Sequence, residues 1–291
     1  MSLPRARAAL THPWLPVAVS GLLLLALVTR ADAMLGLLVV LGFGGAFVSG
    51  LLGVGGAIVM IPILFYVPPL LGFAQLDIHT VTGVTIVQVA AAAIAGGLGH
   101  LGAGKVDRGL FLDIGVTMTV ASLVGALLSD VVEARVLEAV FASLAIAAAA
   151  MMLVLRSRTA PETGLPSVHR RPLAVALGVL VGLPAGMVGA GGAFILIPLM
   201  LFVLRIPMRV AVGTSLWIVL ASALAGMVGK AATDQIDWPL ALGLVAGALA
   251  GGRFGSFVSR RVPHERLALA LGLLIALVAV RMWLEVLTPV V

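Results

Sequence analysis

The chain has 291 residues, 62% hydrophobic and 10% charged, whereas a soluble domain is roughly a quarter charged. That balance excludes an ordinary soluble domain, and the net charge of +6, carried by arginines in short segments between apolar runs, reads as a basic excess on one membrane face, not as a nucleic-acid surface. The absence of cysteine excludes disulfides, thiolate metal sites and cysteine nucleophiles, and the absence of asparagine excludes an N-glycosylation sequon.

Several segments run about 18 residues or more without a charge, long enough to span hydrocarbon. Taken in chain order, Arg5 and Arg7 precede an apolar run at Leu15–Val28, and Ala31-Asp32-Ala33 then has the form of a signal-peptidase site. The run reads as an uncleaved first membrane helix, with a cleaved signal as the alternative. Residues 53–63 read GVGGAIVMIPI, glycines that interrupt a helix and an apolar run containing proline. The pattern then predicts helices over 79–100, 109–128 and 135–155. A polar linker at 156–171 carries Pro161, Gly164 and Pro166. Residues 189–199 read GAGGAFILIPL, and further helices are predicted over 210–230, 239–258 and 265–287.

The two glycine stretches are copies. Gly53, Gly55, Gly56, Ala57, Ile61 and Pro62 match Gly189, Gly191, Gly192, Ala193, Ile197 and Pro198 at an offset of 136. Downstream the offset is 130, pairing Gly83 with Gly213, Thr85 with Ser215, Gly96 with Gly226, Asp107 with Asp237 and Gly125 with Gly255. The difference of six places a longer loop in the first copy, near Pro68-Pro69. The chain divides into an N-terminal extension (1–33), repeat 1 (34–155), a linker (156–171) and repeat 2 (172–291).

Charge sets the orientation. Arg156, Arg158, Arg170 and Arg171 place the linker in the cytoplasm, as do Arg205 and Arg209 for their loop; the loop with Asp234 and Asp237 reads as outside. Equivalent loops of the first copy carry the opposite signs, so the repeats run through the membrane in opposite directions. Each copy must then cross an odd number of times. With three clear helices apiece, the glycine stretch has to leave and return on one side, as the tip of a helical hairpin. The fold class is therefore all-α: a polytopic membrane protein of two inverted-topology repeats, each a glycine-tipped hairpin plus three transmembrane helices, with one extra N-terminal helix.

Broken helices in inverted repeats are a transporter plan, with substrate near the midplane between the repeats. Helices that begin at the tips present free backbone N–H groups and the positive end of the helix dipole, which suits an anion. The candidate substrate-binding residues are Gly53, Gly55, Gly56, Ala57, Gly189, Gly191, Gly192 and Ala193, completed by Thr85, Gln88, Thr214 and Ser215 on the helices that follow. Thr82 lies on the same stretch. The competing reading is that the glycines serve hairpin packing and the hydroxyls ordinary interhelical hydrogen bonds. Arg253, inside a predicted helix in AGGRFG, is a candidate for attracting anions, or snorkels to the cytoplasmic edge. Asp113, His100 and Lys230 fall near helix ends, where loop solvation explains the first and interfacial anchoring the other two.

Enzyme motifs fail. GVGGAI lacks the last glycine of a dinucleotide fingerprint, GHLGAGKV at 99–106 lacks the final hydroxyl of a phosphate loop, and His264-Glu265 is not completed by a histidine at position 268, which is alanine. No Gly-x-Ser-x-Gly elbow is present. No cofactor, metal or nucleic-acid partner is expected; the partners are the lipid bilayer and a small anion, and oligomeric state is not readable.

The paired motifs LLGVGGAIVMIPIL and MVGAGGAFILIPLM, with AVGTSL at 211–216 and the late GRFGSFVSRRV, resemble the sulfite exporter TauE/SafE family. The resemblance covers nearly all of the chain after residue 34. It implies a bacterial inner-membrane permease for small sulfur-containing anions such as sulfite or organosulfonates, with the N-terminus cytoplasmic if the first helix is retained and the C-terminus outside. The residues alone reach a small anion and leave open a carboxylate cargo or a non-transporting membrane scaffold. They leave direction and coupling ion undetermined.

Overall fold

The computed structural model describes residues 33–52, 56–99, 106–154, 171–259 and 264–288. The proposed first helix, Gly53, Gly55, His100 and the linker arginines 156, 158 and 170 fall outside them. The described residues form ten helices and no strands. These are α1 (Ala33–Leu52), α2 (Ala57–Leu70), α3 (Ile78–Gly99), α4 (Arg108–Val131) and α5 (Ala134–Val154). After the linker come α6 (Arg171–Met187), α7 (Ala193–Phe202), α8 (Met208–Ala232), α9 (Trp238–Ser259) and α10 (His264–Leu287).

The boundaries follow local chemistry. Asp107 caps α4 by accepting from the Gly109 and Leu110 amides at 2.8 and 3.1 Å. Within α4, Phe111–Gly115 forms a wider π-type turn. Pro207 opens α8, where its missing N–H would be unpaired anyway. Pro62 and Pro198 lie inside α2 and α7, six residues into each. Each removes the ring-position amide that would bond four residues back, to the Ile58 and Phe194 carbonyls. The extra length of the first copy is not a loop at Pro68-Pro69, as the sequence suggested. Both prolines sit in the last turn of α2, which has 14 residues against 10 in α7; only the rest of the difference falls in the connection that follows.

The main helix pairs are α1 with α9, α4 with α6, α8 with both α3 and α4, α3 with α9, and α5 with α10. Exchanging the first five helices with the last five turns α1–α9 into α6–α4 and α3–α9 into α8–α4, and leaves α3–α8 and α5–α10 unchanged. The two strongest pairings rest on glycine. On α9, a Cβ at Gly247, Gly251 or Gly255 would collide with the carbonyl oxygens of Val39, Phe43 and Phe47 on α1. On α6, Gly182 and Gly186 meet the Met118 and Ser122 carbonyls of α4, and Gly178 meets Thr117. The four-residue spacing returns glycine to one helix face each turn, so two backbones approach over the whole contact.

The outward faces are apolar. Leu112, Val116, Val120, Val124, Leu127, Leu128 and Val131 form an exposed stripe on α4, and Leu273, Leu277, Val280, Leu284 and Leu287 form another on α10. Three helices, Arg108–Val131, Ala134–Met151 and Gly213–Ala232, are long and apolar enough to cross a bilayer. Stripes of this size would be a liability in water and are ordinary in lipid. The chain is a multi-pass membrane protein.

The glycine contacts make a direct stability prediction. Gly251→Ala forces its methyl into the Phe43 carbonyl and should cost about 1–3 kcal/mol, read as a lower melting temperature in detergent. Gly36→Ala, with nothing within 4 Å of the added carbon, should melt like the parent. Equal melting of the two variants would show that the α1–α9 contact is looser than described.

Candidate functional site

The turn between α6 and α7 is buried throughout, with Val188 and Ala190 inside the core. Gly189, Gly191 and Gly192 all take left-handed backbone angles, with φ of +65°, +63° and +71°. Only glycine adopts three such conformations at no steric penalty, and this explains why the turn is written with them. Gly192 ends as the N-cap of α7, its carbonyl accepting from the Ile195 and Leu196 amides at 3.2 and 3.0 Å. The first copy differs at the equivalent cap: Gly56 has φ −65° and ψ −32°, already helical, and accepts from Val59 and Met60.

Both tips lean on α3. A Cβ at Gly56 would stand 2.6 Å from Gln88 Nε2. A Cβ at Gly191 would stand 2.5 Å from Val89 Cγ1, the next residue of the same helix, and 3.5 Å from Val219 Cγ1 of α8. A Cβ at Gly189 would strike the Thr82 carbonyl oxygen. The glycine stretches of the two copies therefore meet one α3 segment, Thr82–Val89, where every residue is buried. Thr82, Thr85 and Gln88 recur three residues apart on it, on one broad helix face. Thr85 donates to the Val81 carbonyl at 2.7 Å. Gln88 is 1% exposed, and among the described residues its Oε1 has no hydrogen-bond partner. A buried amide oxygen left unpaired is uncommon and costly.

The remaining candidates are placed differently. Ala57 is buried and Ala193 half-buried at the starts of their helices. Thr214 is buried, and its Oγ1 accepts from the Asp107 amide at 3.1 Å, so it ties α8 to the start of α4. Ser215 is buried on the same turn. The side chain of Arg253 lies on the exposed face of α9, near the exposed Phe254 and Phe257. Asp113 lies in the π-type turn of α4, 3.8 Å from the Arg171 guanidinium.

One residue departs from the sequence reading. Lys230, expected to anchor at an interface, is 0% exposed. Its ammonium donates to Thr82 Oγ1 at 3.0 Å, Ser129 Oγ at 2.9 Å and Gln235 Oε1 at 2.8 Å. The reason is tertiary: the connection after α8 folds back over the helix end, and the Gln235 carbonyl sits where a Cβ on Gly83 would be. What looked like a helix terminus is thereby sealed between α3, α4 and that connection. The only signal in the sequence was a polar set, Thr82, Ser129, Lys230 and Gln235, on three separate predicted segments, with nothing to show that they meet.

Glycine-tipped short helices, a buried polar stripe between them and an apolar exterior define a helical membrane protein with an internal polar site. The chain belongs to the sulfite exporter TauE/SafE family, whose model matches residues 37–282. It is 30% identical over 254 residues to a probable membrane transporter protein of Xylella fastidiosa (strain 9a5c), covering 84% of this chain and 94% of the relative. It is 25% identical over 268 residues to the probable membrane transporter protein YunE of Bacillus subtilis (strain 168), covering 86% and 97%. A second protein of that bacterium, YdhB, is 26% identical over 235 residues, covering 78% and 91%. No solved structure matches the chain.

The two tips should respond differently to a methyl group. Gly189→Ala meets both a left-handed backbone and the Thr82 carbonyl, and should lower stability by about 1–3 kcal/mol. Gly56→Ala keeps its helical backbone and displaces only the end of a flexible glutamine, so it should fold at parental yield and melting temperature. A Gly56→Ala protein that aggregates would show that this tip is rigid.

Proposed function

We propose that the protein is a permease for small sulfur-containing oxyanions, such as sulfite or organosulfonates, working by alternating access around the two glycine tips. The observation that carries the reading is the meeting of both tips on the Thr82–Val89 segment of α3, beside a buried glutamine with an unpaired oxygen. Supporting it are the family, the relatives described as probable membrane transporters, and the exchange of helix contacts between the two halves, which fits inverted repeats packed about a pseudo-two-fold. In this reading the Gly55–Ala57 and Gly191–Ala193 amides hold the oxyanion, with Thr85, Gln88, Thr214 and Ser215 around it. In this reading the arginine-rich linker faces the cytoplasm, and the protein sits in the bacterial inner membrane, as the family resemblance implies. A permease needs no reacting group, and no catalytic constellation is assigned.

Counterflow of labelled sulfite in proteoliposomes tests the proposal. Wild type should exchange sulfite. Gly56→Ala, crowding Gln88, should lower flux roughly tenfold through weaker binding. Gly192→Leu, which adds a side chain at φ +71° with its Cβ 2.5 Å from Met118 Cε, should abolish flux. Full flux in both variants would remove the tips from the mechanism. A wild type that ignores sulfite and organosulfonates but exchanges small carboxylates would change the cargo. No flux with any anion would favour a membrane scaffold.

A further inference from the structure

The Lys230 cluster has a proton arrangement that can be worked out from its hydroxyls. Thr82 Oγ1 donates to the His79 carbonyl at 2.9 Å, Ser129 Oγ to the Ala126 carbonyl at 2.6 Å, and Thr233 Oγ1 to the Gly229 carbonyl at 3.1 Å. Each hydroxyl has one proton, so each can only accept from nitrogen. Gln235 Nε2 donates to Thr233 Oγ1 at 2.7 Å, which turns Gln235 Oε1 toward Lys230. The three oxygens around Nζ can all accept from it, and Gln235 Oε1 also accepts from Ser129 Oγ at 3.0 Å. The arrangement suits an ammonium, whose three N–H bonds match the three oxygens.

Among the described residues no carboxylate pairs with this charge directly: none lies within 4.0 Å of Nζ, and Asp130 acts on it only from beyond bonding distance. Asp130, beside Ser129 on α4, and Asp234, beside Gln235, are exposed, and Asp77 pairs with His79 at the start of α3. A buried cation held only by neutral oxygens leaves a positive potential inside the protein that water does not screen. The potential falls on the tips. Thr82, which takes one ammonium hydrogen bond through its hydroxyl, presents its carbonyl to Gly189, and the stripe Thr82, Thr85, Gln88 runs from the cluster to the Gly56 tip.

We propose that Lys230 determines specificity for ligand charge: a fixed buried ammonium that favours the more highly charged of the small anions reaching the tips. This rests on the anion-permease reading above. It assigns the internal positive charge to α8, whereas sequence reasoning had looked to Arg253, which is exposed. Lys230 makes no bond to the ligand, since its three donors are occupied, so it acts through space.

Inhibition of proteoliposome flux by a dianion (thiosulfate) and a monoanion (methanesulfonate), at one ionic strength, tests it. In Lys230→Gln the preference for the dianion should fall roughly tenfold relative to the monoanion, and Lys230→Arg should restore it. Gln235→Glu is the second variant, because it keeps shape and the bond from the ammonium while cancelling the charge, with the Thr233 hydroxyl turning to donate to the new carboxylate; it should shift the preference the same way. A merely structural lysine would weaken both inhibitors equally, and that result, or an unchanged preference in Gln235→Glu, would overturn the inference. Absence of all anion flux in wild type would instead remove the permease reading, and this inference with it.

Discussion

Direct contact between backbones, made possible where glycine removes the side chain, is the constraint on which this structure depends. Lipid supplies no hydrophobic force between helices, so close approach and internal hydrogen bonding hold them together. The α9 glycines at 247, 251 and 255 and the α6 glycines at 178, 182 and 186 bring two helix pairs into such contact. Those pairs link the first arm of each half to the fourth helix of the other. The first arm of each half is therefore held by the opposite half of the chain; the Gly189–Gly192 tip meets α3 of the first half, whereas Gly56 meets Gln88 of its own half.

Polar satisfaction is the second constraint, and it sorts the buried polar residues. Thr214 is occupied by the Asp107 amide, Ser122 by the Ser222 carbonyl at 3.0 Å, and Thr82 and Ser129 by Lys230. These bonds close the structure between helices. Among the described residues two buried side-chain atoms stand outside that pattern, Gln88 Oε1 and Ser222 Oγ. Of the two, Gln88 adjoins a tip. A hydroxyl can turn to a partner by rotating one bond, whereas an amide oxygen needs its whole side chain to shift, which is why Gln88 carries more weight.

The ammonium and the tips form one electrostatic unit. Lys230 bonds Thr82, Thr82 touches Gly189, and Gly189 begins the turn that presents the amides of α7. Positive potential from the helix start and from the lysine adds at the same place. Arg253, on an exposed face with aromatic neighbours, suits the role of an anchor in lipid better than that of a ligand partner.

Helix positions and the tight turn at residues 189–192 were legible in the sequence. They are written in local terms: apolar run length, and glycines where the backbone must turn left-handed. Gln88 and Thr85 were legible as polar residues on an apolar stretch. Only the tertiary structure decided what lies opposite them. The sequence could not show that Pro68 and Pro69 finish a helix and not a loop, since packing tolerates prolines in a last turn whose amides have other fates. Nor could it show that Lys230 is buried. Its position at a helix end is local, whereas its burial depends on Gln235 folding back and on Thr82 and Ser129 arriving from helices roughly a hundred or more residues away. Charge in a membrane protein is read from where a residue stops in space, and chain order does not contain that.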